Sequence, residues 1–425
     1  MKVLFFNDVS KQYNSKAVIP YNSSGMFDTL HDALMDDDLS IELGVAFFHS
    51  EKSGREECGK TTYYPIYRKK RTSLQKMFYY WYNYKQESHN GLRSDMLDIV
   101  NDFKPDVIQI FGIESQFSCI LGYTDIPVIV HLQGFLNPTH NAFYPQGMNR
   151  YTFLLKKYSY NEWLFRNGYN FAAEHMSVRC IKERDYFRNL QFSLGRTEWD
   201  YQIAQLLSPQ TKYFHVDELL REEFMRSRPW SMPALEKFVL VTNISETIYK
   251  GLDLILKTAK FLRELTGINF EWRIIGVQAN SRFVEFFEKN FQIKSSEVNV
   301  RYEGVCNAEQ ICSLLLESHV YIHPSYIDNS PNSLCEAQLL GLPVIATYVG
   351  GIPSLVAHRE TGMLVPSNAP YELCYWLKYL YQHPETMVQL GHAARKMALI
   401  RHSKEKIVSD LINVYHQMVN KAITP

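Results

Sequence analysis

Short apolar runs alternate with amphipathic segments along the whole chain, and this alternation limits the fold more than any other feature. Amphipathic helical patterns lie between the apolar runs, for example at Leu252–Leu265, Glu309–Glu317 and Ser333–Leu340. Apolar strands that alternate with helices predict parallel sheets covered on both faces. The predicted strands are Val3–Phe6, Gly44–Phe48, Asp106–Phe111, Val128–Leu132, Phe192–Leu194, Tyr213–Val216, Phe238–Val241, Trp272–Ile275, Val298–Tyr302, Val320–His323 and Val344–Thr347.

The chain has 425 residues, too many for one ordinary hydrophobic core, so we expect two domains. The segment 226–233 (RSRPWSMP) interrupts the alternation with two prolines and polar residues, as an interdomain linker would. We therefore predict an N-terminal domain at 1–228, a second domain at 235–400, and a terminal segment at 401–425. His402–Val419 in that segment has apolar residues close to helical spacing, which predicts a packed helix.

Composition excludes several classes of protein. Lysine plus arginine and aspartate plus glutamate are equal at 45 each, which gives no support for a nucleic-acid partner. The N-terminus does not resemble a signal peptide, and no apolar run approaches the ~18 residues of a membrane-spanning helix. The seven cysteines are scattered without metal-ligand spacing, so we expect a reducing compartment and a cytoplasmic protein.

The strongest chemical signal lies at 323–353 (HPSYIDNSPNSLCEAQLLGLPVIATYVGGIP). A strand ends at His323, and a polar loop follows. Ser330 is predicted to cap a helix that has Pro331 at its first position and ends at Gly341. The free N–H groups and positive dipole end of such a helix form a site for a diphosphate. The candidate donor-binding residues there are Asn329, Ser330, Pro331, Asn332 and Ser333.

Two carboxylates flank this predicted anion site. Asp328 lies in the loop before the helix, and Glu336 lies about a turn and a half inside it. This placement suits hydrogen bonds to sugar and ribose hydroxyls better than it suits metal chelation. The glycine turn Gly350-Gly351 follows the next strand and allows the backbone to approach a ligand closely.

The combined pattern resembles the signature of group 1 (family 4) retaining glycosyltransferases. The matching residues are Asp328, Glu336-Ala337, Gly341-Leu342-Pro343-Val344 and Gly350-Gly351. The family usually has Glu at the first acidic position, so Asp328 is a conservative departure. The resemblance implies the α/β GT-B fold. In that fold two Rossmann-like domains face each other across a cleft, and a C-terminal helix packs back on the N-terminal domain.

The resemblance implies further donor contacts in the second half. Lys250, before a helix, would contact the donor diphosphate, although the arginine that the family usually places a few residues earlier is missing here. Gly276 and Gly304 match turns near the nucleobase. A UDP- or GDP-sugar would be the donor, and no further cofactor is expected. Because no Asp-x-Asp motif stands at a strand end, we expect no required metal.

The first half resembles the family less closely. Gly25 is the candidate for the family's glycine-rich loop, although Ser24 before it would equally serve as a helix cap. The strand that delivers a histidine to the reaction centre in the family carries Gln133 at the matching position and His131 two residues earlier, so both stay candidates. Arg196 is predicted either to reach a phosphate or to form a structural ion pair with Glu198 or Glu218.

The resemblance is to bacterial surface-polysaccharide members of the family, which predicts a glycan or lipid-linked acceptor. Segments 68–71 (RKKR) and 77–84 (MFYYWYNY) combine cations and aromatic rings, as segments that contact a membrane surface do. An aromatic packing face is the alternative. A sugar-nucleotide epimerase and a noncatalytic sugar-binding protein are the alternative functions, because fold alone does not define activity.

Overall fold

The computed structural model describes residues 1–8, 10, 13, 25–35, 40–83, 88–149, 152, 162, 164–165 and 168–422. These residues form two units. The first unit contains Met1–Asn141, Met148–Leu219 and Lys404–Pro425. The second contains Ala142–Gly147 and Leu220–Ser403.

The first unit is built on an eight-stranded sheet in the described residues, with the order β3-β4-β2-β1-β5-β6-β7-β8. All neighbouring strands are parallel except β3, which runs antiparallel to β4 at one edge. The central strands are buried on both faces, which explains their continuous apolar sequences. The strands are β1 (Lys2–Phe6), β2 (Glu42–His49), β3 (Glu56–Cys58), β4 (Thr61–Tyr67), β5 (Val107–Phe111), β6 (Val128–His131), β7 (Phe192–Gly195) and β8 (Lys212–His215).

Helices connect these strands, and two apolar clusters cover the sheet. The cluster around Phe5 and Phe47 and the cluster around Phe6 and Phe117 contain alternate residues of β1 and β2 with their neighbours. The helices are α1 (Gly25–Leu34), α2 (Ser73–Phe78), α3 (Asn90–Phe103), α4 (Leu136–Asn141), α5 (Tyr169–Phe187) and α6 (Glu198–Leu207). A π-helical turn, Tyr79–Asn83, follows α2.

The second unit has a six-stranded parallel sheet, with the order β11-β10-β9-β12-β13-β14 in the described residues. Its strands are β9 (Phe238–Asn243), β10 (Phe270–Ile275), β11 (Val300–Gly304), β12 (Val320–His323), β13 (Val344–Thr347) and β14 (Met363–Val365). Its helices are α7 (Glu222–Arg226), α8 (Leu252–Thr266), α9 (Arg282–Phe291), α10 (Ala308–Leu316), α11 (Asn332–Leu340), α12 (Ile352–Leu355), α13 (Pro370–Gln382) and α14 (Pro384–Arg401). Loops at the carboxyl ends of its parallel strands carry the ligand-binding residues of sheets of this kind.

The terminal helix α15 (Lys404–Ala422) belongs to the first unit. Its apolar residues, among them Leu411 and Met418, join the cluster around Phe5. The hydroxyl of buried Tyr415 donates to the Gln109 side chain in β5 at 2.5 Å. The expected return of the terminal helix to the N-terminal domain is therefore observed.

The division between the two units differs from the sequence-based boundary at 226–233. It lies between Leu219 and Leu220, and the proline-containing segment is packed inside the second unit. Trp230 is buried there, donating from its backbone N–H to the Leu340 carbonyl at 2.7 Å and from its indole to the Ser318 carbonyl at 2.8 Å. The prolines predict a break in regular secondary structure, but here buried Trp230 packs this irregular segment against the second unit.

No helix in the described part of the chain is both long enough and apolar enough to cross a bilayer.

Candidate active site

The site is centred on the loop between β12 and α11. Helix α11 begins at Asn332, and Pro331 is its N-cap with φ −70° and ψ 120°. Ser330 was expected to be the cap, but the proline already holds the extended backbone that a cap position needs, so the helix starts one residue later. The Pro331 side chain provides no capping hydrogen bond to the amides of the first turn. This helix end therefore combines a positive dipole with amides that need acceptors.

Three titratable side chains meet just before that helix. The Lys250 ammonium donates to Asp328 Oδ2 at 2.6 Å, and His323 Nε2 lies 3.0 Å from the same oxygen. Lys250 ends a short 3₁₀ turn after β9, whereas His323 is the last residue of β12. Because β9 and β12 are parallel neighbours, their carboxyl ends bring both residues to one edge of the sheet.

The charges in this cluster are mutually stabilised. Desolvation favours a neutral Asp328, but the Lys250 ammonium and the His323 hydrogen bond outweigh it and hold the pKa of Asp328 well below its usual range. Burial lowers the pKa of Lys250, and the Asp328 carboxylate more than compensates, so its pKa is raised. Burial lowers the pKa of His323, which leaves a neutral imidazole beside an ion pair.

The glycine turn after β13 closes against this loop. Gly350 has φ +50°, and a Cβ atom there would lie 1.9 Å from the Asp328 carbonyl oxygen. The Gly351 N–H donates to that same oxygen at 3.0 Å. The close approach predicted for these glycines therefore occurs toward the main chain of Asp328, which they hold in place.

Glu336 is engaged by a residue that sequence reasoning missed. Its carboxylate is 1% exposed and accepts two hydrogen bonds from Arg221, from Nε at 2.7 Å and from an Nη atom at 2.8 Å. Desolvation raises the pKa of Glu336, and Arg221 opposes that shift. Arg221 precedes Glu336 by 115 residues and follows no recognisable spacing, so the sequence contained no signal for this pair.

A second missed contact joins the loop to α8. The Tyr326 backbone N–H donates to the Tyr249 carbonyl at 2.8 Å, and its hydroxyl donates to buried Asp253 at 2.8 Å. Lys257 also donates to Asp253, at 3.0 Å. These bonds tie the loop before Asp328 to the segment that carries Lys250.

The remaining candidates of the second unit surround this loop. Asn329 and Ser330 lie in the loop itself, whereas Asn332 and Ser333 occupy the first turn of α11, where Ser333 Oγ accepts from the Tyr321 hydroxyl at 2.9 Å. Gly276 and Gly304 end neighbouring strands, and the Gly276 N–H donates to the Gly304 carbonyl at 2.7 Å.

The candidates of the first unit are placed separately. Gly25 is the first residue of α1, and Asn22–Ser24 lie outside the described residues. His131 ends β6 in a buried position, where burial and the charge of Arg196 lower its pKa well below the usual value. Neither of its ring nitrogens has a hydrogen-bond partner among the described residues. Gln133 lies two residues further on and is half-buried.

Arg196 is also buried. It forms an ion pair with Glu218, one of the two structural partners expected for it, and it donates to the carbonyls of Leu132 and Gln133 at 3.4 Å. The residue therefore supports the chain that follows β6.

Comparison with known proteins first defines the class of fold. The sucrose-phosphate synthase of Thermosynechococcus elongatus superposes over 99% of both chains with a TM-score of 0.71 at 12% identity. HepE from Anabaena, in complex with UDP and glucose, covers 97% of this chain and 99% of its own, with a TM-score of 0.61 at 13% identity. The two Rossmann-like units form the GT-B fold, as the sequence predicted.

Sequence comparison then finds a family match within the second unit. Residues 233–397 match the family model of group 1 glycosyl transferases. The Escherichia coli (strain K12) protein named putative colanic acid biosynthesis glycosyltransferase WcaL is 28% identical over 148 residues, which is 33% of this chain. The match spans about a third, 35%, of that relative's own length.

Proposed function

We propose that the protein is a retaining glycosyltransferase. It moves a sugar from a nucleoside diphosphate sugar, bound by the second unit, to a glycan or lipid-linked acceptor, bound by the first unit. The observation that carries this proposal is the meeting of Lys250, Asp328 and His323 just before the N-terminus of α11.

The donor diphosphate is the ligand that fits this helix end. Its negative charge matches the amides of Asn332 and Ser333, the helix dipole and the Lys250 ammonium. In the transition state, charge builds on the departing diphosphate while the sugar becomes oxocarbenium-like. Lys250 and the amides would stabilise that charge, and the leaving phosphate would act as the base toward the acceptor hydroxyl.

Donor binding would also rearrange the ion pair. When Lys250 turns from Asp328 to a phosphate, the Asp328 carboxylate becomes available to accept hydrogen bonds from the hydroxyls of the donor sugar. The neutral His323 beside it can keep donating to the carboxylate. Asp328 thus contributes an acceptor that the His323 hydrogen bond helps to hold in place.

Glu336 is proposed to receive the ribose hydroxyls. Arg221 uses one hydrogen bond to each carboxylate oxygen, and each oxygen retains a lone pair. The arginine therefore orients the acceptor groups instead of blocking them. His131 and Gln133 at the end of β6 are proposed to lie near the reacting carbon.

The comparisons support surface-polysaccharide synthesis as the context. A UDP- or GDP-sugar is the proposed donor, since HepE, which shares the fold, has been captured with UDP and glucose. WcaL is named for colanic acid biosynthesis. The bound UDP and glucose belong to HepE, and the link to colanic acid belongs to WcaL. We extend both to this chain because residues 233–397 match the family model of group 1 glycosyl transferases.

Peripheral membrane contact is proposed for the segment that links β4 to α2. Arg68, Lys69, Lys70 and Arg71 are exposed, and Leu74 and Phe78 beyond them are 64% and 57% exposed. Replacing Lys69 and Lys70 with glutamate should weaken cosedimentation with anionic vesicles several-fold. Unchanged cosedimentation would remove this part of the proposal.

A thermal-shift panel of UDP-, GDP-, ADP- and TDP-sugars tests the donor site. One nucleotide sugar should raise the melting temperature by mass action. The cognate donor should then give acceptor-dependent sugar transfer with the anomeric configuration kept. Donor binding without transfer to any acceptor, or conversion of the donor without an acceptor, would contradict the proposed activity.

A further inference from the structure

A cavity of about 340 Å³ lies in the first unit, apart from the donor residues. Arg68 and Arg71, just after β4, form one wall, and Arg179 and Lys182 on α5 form another. Glu114, three residues after β5, closes the side nearest the sheet. Strand β4 runs parallel to β2, and β5 runs parallel to β1, so the cavity lies at the carboxyl edge where α/β sheets bind ligands.

Two guanidinium groups of this cavity, those of Arg68 and Arg179, have contacts other than carboxylate ion pairs in the described part of the chain. Arg68 lies over the Phe48 ring at 4.7 Å, and Arg179 reaches the Glu114 main-chain carbonyl at 3.5 Å. Among the described residues, no carboxylate forms an ion pair with Arg68 or with Arg179. Arg71 lies 3.5 Å from the centre of the Tyr79 ring. The Phe48 ring thus orients the Arg68 guanidinium without taking up its positive charge.

The two acidic side chains of the cavity do not neutralise it. Glu183 is buried and accepts hydrogen bonds from the backbone N–H groups of Leu136 and Asn137, at the start of α4. Burial raises the pKa of Glu114 to about 7, and the neighbouring Glu183 adds to that shift. One carboxylate is therefore committed to a helix end, and the other, with a pKa of about 7, is protonated in slightly acidic solution.

Apart from Gln116 and Val178, the rest of the lining is aromatic. Tyr80 stacks on His175 with ring centres 4.5 Å apart, and the Tyr186 hydroxyl contacts His89 at 2.8 Å. Rings of this kind stack on sugars, whereas arginine guanidinium groups bind phosphate in a bidentate manner. A volume of about 340 Å³ accommodates a phosphate together with one sugar ring.

We infer that this cavity binds a phosphate group carried by the acceptor, with Arg68 and Arg179 as its main ligands. The binding of phosphate follows from the cavity alone, whereas its assignment to the acceptor rests on the proposed transferase function. The phosphate belongs either to a soluble sugar phosphate or to a lipid-borne sugar phosphate, and the same chemistry recognises both.

Isothermal titration of the full chain with glucose 1-phosphate tests the soluble form. Arg179→Ala should raise the Kd at least tenfold, and Arg68→Ala several-fold. Arg188→Ala, next to the end of α5, is the matched control, because Arg188 is 76% exposed and pairs with Asp185. Lys250→Ala tests whether glucose 1-phosphate binds in the donor site instead of the cavity. Because we expect binding in the cavity, this variant should leave the Kd within about twofold of the wild-type value.

Sedimentation with phosphatidylcholine vesicles, with and without phosphatidic acid, tests the lipid-borne form. Binding that needs phosphatidic acid and falls at least tenfold in Arg179→Ala supports a lipid-borne phosphate. Arg179-dependent binding of glucose 1-phosphate supports a soluble one. If neither ligand responds to Arg179→Ala and Arg68→Ala in folded variants, or if Lys250→Ala alone abolishes binding, the inference is overturned.

These outcomes are independent of the transferase assay. Arg179-dependent phosphate binding in a protein that binds no nucleotide sugar would retain the cavity as a phosphate site and would sink the proposed transferase function. Donor binding and transfer that do not depend on Arg68 and Arg179 would support the proposed transferase function and would overturn the phosphate site in the cavity.

Discussion

The two units manage their charged groups in opposite ways. In the second unit the carboxylates of Asp328 and Glu336 are buried and paired with Lys250 and Arg221. In the first unit Arg179 lines a cavity without a carboxylate partner among the described residues, and the carboxyl group nearest to it has a raised pKa. The candidate donor site thus holds its charges in internal pairs, whereas the cavity of the first unit keeps Arg68 and Arg179 for an anion from outside.

This difference has a physical consequence for ligand binding. A ligand of the second unit must replace an existing ion pair with contacts of equal quality, since an unpaired buried charge is costly. Such a site discriminates strongly between ligands that offer the right groups and ligands that do not. A ligand of the cavity in the first unit pairs with Arg68 and Arg179 and need not displace an existing ion pair. Its affinity should therefore depend more on salt concentration than the affinity of a ligand of the second unit does.

The largest effect is expected from Lys250→Ala. Removing a cation that stabilises the leaving diphosphate should lower kcat about 10²–10³-fold, as loss of a single electrostatic donor does in other enzymes. Steady-state transfer assays with the cognate donor measure it. Lys260→Ala on α8 is the control, because Lys260 is 45% exposed and lies near only Glu264. Equal rates for the two variants would contradict the proposed donor site.

The next effect concerns the Arg221–Glu336 pair. Glu336→Ala leaves Arg221 beside a buried void and should lower the free energy of unfolding by about 3 kcal/mol. The double variant Arg221→Met, Glu336→Leu should recover most of that loss, because neither charge is then left unpaired. Urea titration of wild type, Arg221→Met, Glu336→Leu and the double variant gives the coupling energy.

Activity separates the structural role of that pair from its proposed ribose contact. Folded Glu336→Gln should retain much of the stability while donor turnover falls strongly. Near wild-type transfer by a folded Glu336 variant would refute a donor role for this residue.

A smaller loss of stability is expected from Gly350→Ala. The new Cβ would overlap the Asp328 carbonyl, so we expect about 1–3 kcal/mol of destabilisation and weaker donor binding. Gly91→Ala is the matched control, since a Cβ at Gly91 in α3 meets nothing within 4 Å. That variant should gain up to about 1 kcal/mol through helix propensity. Equal melting temperatures for the two variants would show that the glycine turn does not hold the Asp328 loop.

The smallest effect is the pH dependence of Glu114. Its pKa is raised from the ordinary 4.5 to about 7 in the folded protein, so the folded state binds more protons between these values. The stability contributed by this carboxyl is fully present below pH 4.5 and is lost as the pH rises through 7. Wild type should therefore lose stability relative to Glu114→Gln by at most about 1.4 kcal/mol per pH unit.

Urea titrations at pH 5, 6, 7 and 8 measure this difference. Parallel stability curves for wild type and Glu114→Gln would mean that Glu114 titrates normally. The contrast between a neutral carboxyl in the first unit and ionised carboxylates in the second would then disappear.

Sequence periodicity predicted most of the strands because a buried parallel strand must be apolar along its length. Val320–His323 and Val344–Thr347 have the predicted bounds, and most other predicted strands differ by one or two residues. The strands Glu56–Cys58, Thr61–Tyr67 and Met363–Val365 were missed. Glu56–Cys58 is an exposed edge strand, Thr61–Tyr67 contains Pro65, and Met363–Val365 has only three residues, so each lacks the long apolar run that was sought.

The sequence alone determined the alternating architecture, the helix end at Pro331 and the approach of Lys250 and Asp328 to one sheet edge. These features follow from local rules, because strands, helix caps and glycine turns are encoded by residues close together in the chain. Only the tertiary structure decided that Glu336 pairs with Arg221, that Trp230 anchors the presumed linker, and that Arg68 and Arg179 line one cavity. Such contacts depend on packing between segments far apart in the chain, and no spacing along the sequence records them.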